Sequence, residues 1–147
     1  ALVALQSALG RAAAQEATPS AMTSETAMPP ADCEGQEQVA QNLETFDRLD
    51  FEAWNEQNWD LFAEIHGENV HVEGWGTNTD GVDVHVEWSK EFVAANPDAY
   101  RIVDHPIRIG AGDWTAVTGV LEDGSTMATI ARWENGQIAE EYLFSLV

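Results

Sequence analysis

The sequence predicts an α+β domain in which three helices lie against one curled, mostly antiparallel sheet. Three observations carry this reading. Apolar residues at three- and four-residue spacing open the domain: Val39, Leu43, Phe46, Leu49 or Asp50, and Ala53, the pattern of an amphipathic helix. Strand-like runs dominate the second half, from Tyr100 onwards. Two turn signals, Asp123-Gly124 and Asn135-Gly136, join the last three runs, because both central residues of a two-residue hairpin turn must accept a positive φ. A helical half followed by a strand meander is the α+β arrangement.

The elements follow in order. Ala1 to Gly10 is apolar, and Ala12-Ala13-Ala14 supplies a small-residue cleavage pattern before Gln15. Residues 1–14 thus read as part of a signal peptide, giving a secreted or periplasmic, extracytoplasmic protein; an ordinary N-terminal tail is the alternative. Residues 15–35 are rich in Ala, Thr, Ser, Pro and Glu and too poor in large apolar side chains to order themselves, so they read as a disordered linker. The domain then spans 36–147. Its first helix runs to about Glu56. Asn58 caps a second, Trp59 to Ile65, which stops at Gly67. Asn69 to Trp75 is a strand, Gly76 to Gly81 a loop. Val84, Trp88, Phe92 and Ala95 mark a third helix closed by Asn96-Pro97. Four strands complete the chain: Tyr100 to Ile109, with Pro106 at an edge or bulge, Trp114 to Leu121, Thr126 to Trp133, and Gln137 to Leu146.

Charge and cysteine content narrow the function. The formal net charge is -20. Residues 36–147 hold 22 acidic and 5 basic side chains, so most of the charge sits on the domain. Such a field repels phosphate backbones and anionic lipid, which argues against nucleic acid and membrane-surface partners and for solubility. The lone Cys33 forms no internal disulfide and no zinc framework. No apolar run reaches the length of a membrane-spanning helix, so no membrane insertion is expected.

The two turn signals also predict register. If both are two-residue turns, Trp133 faces Ile138, Ala131 faces Glu140, Thr129 faces Tyr142, and Trp114 faces Trp133. One face then carries Trp114, Trp133, Tyr142 and a single carboxyl group, Glu140, beside the small Ala131. A carboxylate in apolar surroundings loses solvation, which raises its pKa and suits it to proton transfer. A purely structural pairing of Glu140 with a helix residue is the other reading. The opposite face, with Val117, Leu121, Ile130 and Leu143, is apolar too. Either it is a dimer surface, or the concave and convex sides are the other way round. On the first strand His71, Glu73 and Trp75 share a face, so His71 and Glu73 are candidates to assist in proton transfer.

Other groups read as weaker candidates. Asp104 and His105 point to opposite faces. His66 follows the second helix, near its C-terminal dipole, and His85 is expected to face solvent. No HisXaaXaaXaaHis or CysXaaXaaCys pair exists, and His71 with Glu73 is too small a set for a closed zinc site, so no metal and no cofactor is expected. An arginine set between two acids is half met by Arg132 and Glu134, which share the face away from the expected position of Glu140. A glycine-rich phosphate loop is absent.

The motifs resemble those of SnoaL-like domains, the polyketide-cyclase branch of the nuclear transport factor 2-like superfamily. The residues that carry the resemblance are the long first helix, Trp59-Asp60-Leu61-Phe62 leading into Val70-His71-Val72-Glu73, Asn96-Pro97-Asp98, Gly112-Asp113-Trp114, and Glu134-Asn135-Gly136-Gln137-Ile138-Ala139-Glu140-Glu141-Tyr142. The resemblance implies a cone-shaped sheet wrapped by helices, a pocket in its mouth, and frequent homodimers. It also implies cofactor-independent acid/base chemistry from an acidic residue on the last strand, where Glu140 stands. Two functions are therefore carried forward. One is a cyclase- or isomerase-type enzyme acting on a small apolar carbonyl compound, with Glu140, His71 and Glu73 catalytic and Trp54, Trp75, Trp114, Trp133 and Tyr142 lining the pocket. The other is a non-catalytic domain of the same fold that binds a small ligand or a protein.

Overall fold

The computed structural model describes residues 33–146. The signal-like segment 1–14 and the linker up to residue 32 lie outside the described residues. Helix α1 spans Cys33–Arg48, so it starts three residues ahead of the expected helix start at Gln36. It runs into a π-helical segment, Leu49–Trp54. Helix α2 is Trp59–Ile65, and the Asn58 side chain accepts a hydrogen bond from the Leu61 amide at 3.2 Å, as the capping pattern predicts. Helix α3 is Val82–Ala95.

Six strands form one open sheet: β1 His66–Gly74, β2 Thr77–Asp80, β3 Ile102–Ala111, β4 Trp114–Leu121, β5 Thr126–Glu134 and β6 Gln137–Leu146. Their spatial order is β2-β1-β6-β5-β4-β3. The β1–β6 pair is parallel and the others antiparallel, so the sheet is mixed. The α+β class stands as expected. The segment expected as a loop, residues 76–81, instead holds β2. A two-residue turn at Trp75-Gly76 with φ of 53° and 86° folds it back on β1. Gly74 before the turn has φ 112°, and a Cβ there would collide with the Leu143 carbonyl.

Two irregularities overturn the expected register. The turn after β4 holds three residues, Glu122-Asp123-Gly124. The Leu121 amide donates to the Ser125 carbonyl at 2.9 Å, and Gly124 takes φ 84°. The Asp123 carboxylate accepts from the Ser125 amide and hydroxyl, which locks the wider loop. With one residue more than a two-residue turn, Ala131 pairs with Thr115 rather than Ala116, and Trp114 turns to the outer face. The second irregularity is a bulge on β6. Trp133 pairs with Ile138 as predicted, but Arg132 pairs with Glu140 and Ala131 with Glu141, so Ala139 is the extra residue. Beyond Ala139 every side chain of β6 is on the face opposite to the predicted one.

The inner face therefore carries Thr115, Val117 and Leu121 from β4, Met127, Thr129, Ala131 and Trp133 from β5, and Ile138 and Glu141 from β6, all buried. Helix α1 packs on β3 and β4, while α2 and α3 pack on β1, with α3 also on β2 and α2 on β6. Phe46, Leu49, Ala53, Trp54, Phe62 and Val93 supply the helical side of the core. Of the two alternatives for the second face, reversed sides hold for β4 and for β6 beyond the bulge.

Candidate functional site

A cavity of about 50 Å³ lies between the helices and the inner face of the sheet. Its walls are aromatic: Trp54, Phe62, Trp75, Trp88 and Tyr100, with Leu49, Ile102, Met127 and Leu143. Three ionisable side chains interrupt this apolar lining, Asp50, His85 and Glu141. A water needs roughly 10–15 Å³ on this measure, so the space suits a few waters or a small organic group.

The π-helical segment places Asp50 in that wall. Its wide turn is visible in two backbone bonds with five-residue spacing, Asn55 N to Asp50 O at 3.0 Å and Asn58 N to Ala53 O at 2.8 Å. Such turns shift the helix face by a residue and recur at functional sites. Behind Asp50 stands His105. Its Nε2 lies 2.8 Å from Asp50 Oδ2 and its Nδ1 2.8 Å from Asp47 Oδ1. Both ring nitrogens face carboxylate oxygens, so with both acids ionised the ring must carry both protons. Burial alone would push His105 down, but the hydrogen bonds and charges of Asp50 and Asp47 outweigh it and raise its pKa. Asp50 is raised, chiefly by burial, with His105 partly opposing and the Glu141 charge adding to the rise. At the outer end Asp47, partly open to solvent, also forms an ion pair with Arg108, Oδ2 to Nη2 at 2.7 Å. The result is a hydrogen-bonded line, Asp47–His105–Asp50, from solvent to cavity, with Arg108 paired at its outer end.

The opposite wall holds Glu141, His66 and His85. Glu141 Oε2 is 3.4 Å from His66 Nε2 and 3.8 Å from His85 Nε2. Burial would raise Glu141, but the hydrogen bond to His66 and the charges of both histidines bring it below the usual carboxylate range. His66 Nδ1 sits 2.7 Å from the Phe62 carbonyl, so that nitrogen bears hydrogen. His85 stacks on Trp88, and burial pushes it down to about 4, so it is neutral near pH 7. The expectation of a solvent-facing His85 is thereby corrected, since the imidazole is 3% exposed.

The residues singled out from sequence divide. Trp54 and Trp75 line the cavity; Trp54 Nε1 donates to the Tyr100 carbonyl and Trp75 Nε1 to Ser145 Oγ. Trp133 is buried but elsewhere, donating to Thr115 Oγ1 at 2.9 Å. Trp114 and Tyr142 stack on each other on the outer face. Glu140 also stands on the outer face, because of the bulge at Ala139, and so do His71 and Glu73, because Val70 and Val72 take the buried positions of β1. There His71 bonds Asp80 at 2.8 Å, which raises it, and lies 3.8 Å from Glu73. Glu140 accepts from Tyr142 Oη and from Arg132, and these hold it below the usual range. Arg132 thus lies between Glu134 and Glu140 beside Tyr142, so the arginine-between-acids pattern forms after all, on the solvent side of the sheet. Asp50, Glu141, His66, His85 and His105 are the groups that sequence reasoning set aside.

The fold is similar to that of several solved structures. One, provisionally named an isomerase of the SnoaL-like family from Agrobacterium tumefaciens, superposes with TM-score 0.63 at 18% identity, covering 76% of this chain and 99% of that one. This is the SnoaL-like, nuclear transport factor 2-like fold. A SnoaL-like protein provisionally named a polyketide cyclase, from Jannaschia, matches with TM-score 0.62 at 19% identity over 72% of this chain and 85% of that one. A protein of unknown function with a cystatin-like fold, from Xanthomonas campestris, matches with TM-score 0.63 at 17% identity over 74% and 91%. No family profile and no curated protein sequence matches the chain. At these identities the SnoaL-like likeness is one of fold, and the chemistry must be argued from the cavity.

Proposed function

We propose that this SnoaL-like domain is a proton-transfer enzyme of the isomerase or cyclase type, acting on a small apolar carbonyl compound held in the aromatic cavity. One observation carries the reading: Asp50, a carboxyl group in the cavity wall whose side chain is 13% exposed, is tied through His105 and Asp47 to solvent. Buried in apolar surroundings, Asp50 is a stronger base than a solvated carboxylate. It takes a proton from the carbon next to the carbonyl, leaving an enolate. As a carboxylic acid it then returns the proton to another atom of the same molecule. His105 holds Asp50 Oδ2 throughout. Glu141, ionised on the other wall, raises Asp50 through its charge and keeps the proton-bearing form accessible. The names given to the solved neighbours, an isomerase and a polyketide cyclase, agree with this class.

The position of Glu140 outside the cavity would by itself favour the binding-domain alternative. The cavity is not lined by apolar groups alone, however, and a binder of apolar ligands gains nothing from burying Asp50 and Glu141, whose desolvation is costly. The test is exchange of α-hydrogens of small cyclic ketones in D₂O, followed by proton NMR. The full chain is expected to accelerate exchange well above buffer for at least one ketone that fits the cavity. Exchange no faster than buffer across such a panel would leave the binder standing.

Two further parts of the proposal concern context. A homodimer is supported by the exposed Ile107, Ile109, Trp114, Ile130 and Phe144, and sedimentation equilibrium at micromolar concentration decides it. Export is supported by the apolar and small-residue pattern of residues 1–14; fractionation of expressing cells tests it, and retention in the cytoplasm would refute it.

A further inference from the structure

We propose that His66, His85 and Glu141 bind a divalent transition-metal ion such as zinc at the wall of the aromatic cavity. The three side chains come from three places in the fold: the first residue of β1, the first turns of α3, and β6 just beyond the bulge. One ligand atom from each lies within 4.8 Å of the other two. Both imidazoles present Nε2 to one oxygen, Glu141 Oε2, at 3.4 and 3.8 Å. A tetrahedral zinc ion with bonds of about 2.0–2.1 Å spaces its ligands roughly 3.4 Å apart, so the set closes on an ion with small adjustments.

The second shell points the same way. His66 Nδ1 donates to the Phe62 carbonyl at 2.7 Å, and His85 Nδ1 lies 3.3 Å from Thr79 Oγ1. With Nδ1 committed, Nε2 is the His66 nitrogen left to face Glu141 Oε2, at 3.4 Å. Metal-bound histidines show this same outer bonding. Two histidines and one carboxylate leave coordination positions free. Because His85 and Glu141 line the cavity, those positions face the substrate space, as in catalytic rather than structural sites. Across the cavity stands Asp50. The ion would polarise a substrate carbonyl while Asp50 moves the proton, so this catalytic use rests on the proton-transfer reading above, whereas binding of the ion does not.

The experiment uses the full, untagged chain stripped with chelator and titrated with Co²⁺ and, by calorimetry, with Zn²⁺. One ion per chain is expected, with a visible Co²⁺ d–d spectrum of a low-coordinate site. Glu141→Gln and His85→Gln are each expected to weaken Zn²⁺ binding at least about tenfold to hundredfold. Asp80→Asn, in the exposed cluster with His71, should leave binding unchanged. In the wild-type chain, which needs no variant to fold, Zn²⁺ should shift the ring ¹⁵N resonances of His66 and His85 and spare those of His71 and His105. Sub-stoichiometric binding, shifts at His71 instead, or full affinity in a folded Glu141→Gln chain would overturn the site. Asp50→Asn keeps the Co²⁺ spectrum in either case. A wild-type chain that shows no α-hydrogen exchange while the spectrum is intact therefore sinks the proton-transfer reading alone. Exchange by the stripped chain, together with no low-coordinate Co²⁺ spectrum on titration, sinks the metal site alone.

Discussion

Replacing Asp50 with Asn is expected to lower the rate of α-hydrogen exchange by about 10²–10⁴-fold, the usual contribution of a positioned general base. Asparagine keeps the shape and can still accept from His105 Nε2, but it carries no proton to or from carbon. Far-UV circular dichroism and a thermal midpoint close to wild type would show that the loss is chemical. A variant that retained more than about a tenth of the wild-type rate would remove Asp50 from the mechanism. His105 is a positioning residue by this account, since its ring bonds Asp50 and does not itself line the cavity. Its cationic bond opposes the burial that raises Asp50. His105→Gln should therefore move the pH–rate profile, not only its height. With the cation gone Asp50 rises further, and because the base works when deprotonated, the ascending limb of kcat/KM shifts to higher pH. A merely structural role for His105 would lower stability and leave that limb in place.

Why Asp50 and not Glu140 is at stake follows from what the chain makes legible. Helix and strand identities are local properties, and the Asn58 cap, the α2 boundaries and the β4 and β6 boundaries follow from propensity and turn chemistry. The Asn135-Gly136 turn also gives the Trp133–Ile138 pair correctly. Face assignment is different, since it depends on counting, and a single extra residue inverts it. Gly124 supplied that residue at one turn, where Asp123 could have been read as the anchor of a wider loop through Ser125. Ala139 supplied it on β6, and nothing about an alanine marks a bulge. Two adjacent acids, Glu140 and Glu141, meant that one would be on each face whatever the register. The resemblance selected the first; the bulge puts the second inside.

The histidines show a second limit. His66, His85 and Glu141 meet across separations of 19 and 56 residues, and such a set leaves no spacing motif. His105 between Asp47 and Asp50 depends on the π-helical turn, which has no sequence signature of its own. The one usable signal was composition. An acidic chain with four histidines places each histidine near some carboxylate, and all four in fact lie within 4 Å of one.

Acid sensitivity should identify His85 as the weak point of the metal-free protein. Burial pushes its pKa from 6.5 to about 4. Between those values the unfolded chain binds a proton that the folded chain refuses, so stability falls as the pH drops through this window. At pH 4 the loss relative to pH 7 is about 3 kcal/mol, a large part of the stability of a small domain. The neighbouring groups act in other windows or with other signs. His105 is raised, so its contribution is complete below 6.5 and is lost only at higher pH. Glu141 is lowered, and its contribution disappears as the pH falls through a value under its ordinary 4.5. Asp50 is raised and takes up its proton first in the folded state, which favours folding in acid. A total stability curve mixes all of these, and the comparison with His85→Gln separates them. Urea unfolding in the presence of chelator should show wild type losing about 3 kcal/mol more than His85→Gln between pH 7 and pH 4. Equal losses in the two proteins would mean that the carboxylates, not the imidazole stacked on Trp88, govern acid unfolding. With Zn²⁺ in place of chelator the wild-type curve should gain stability at pH 7 and lose it steeply toward pH 5, because protons and the ion compete for the same imidazole and carboxylate atoms.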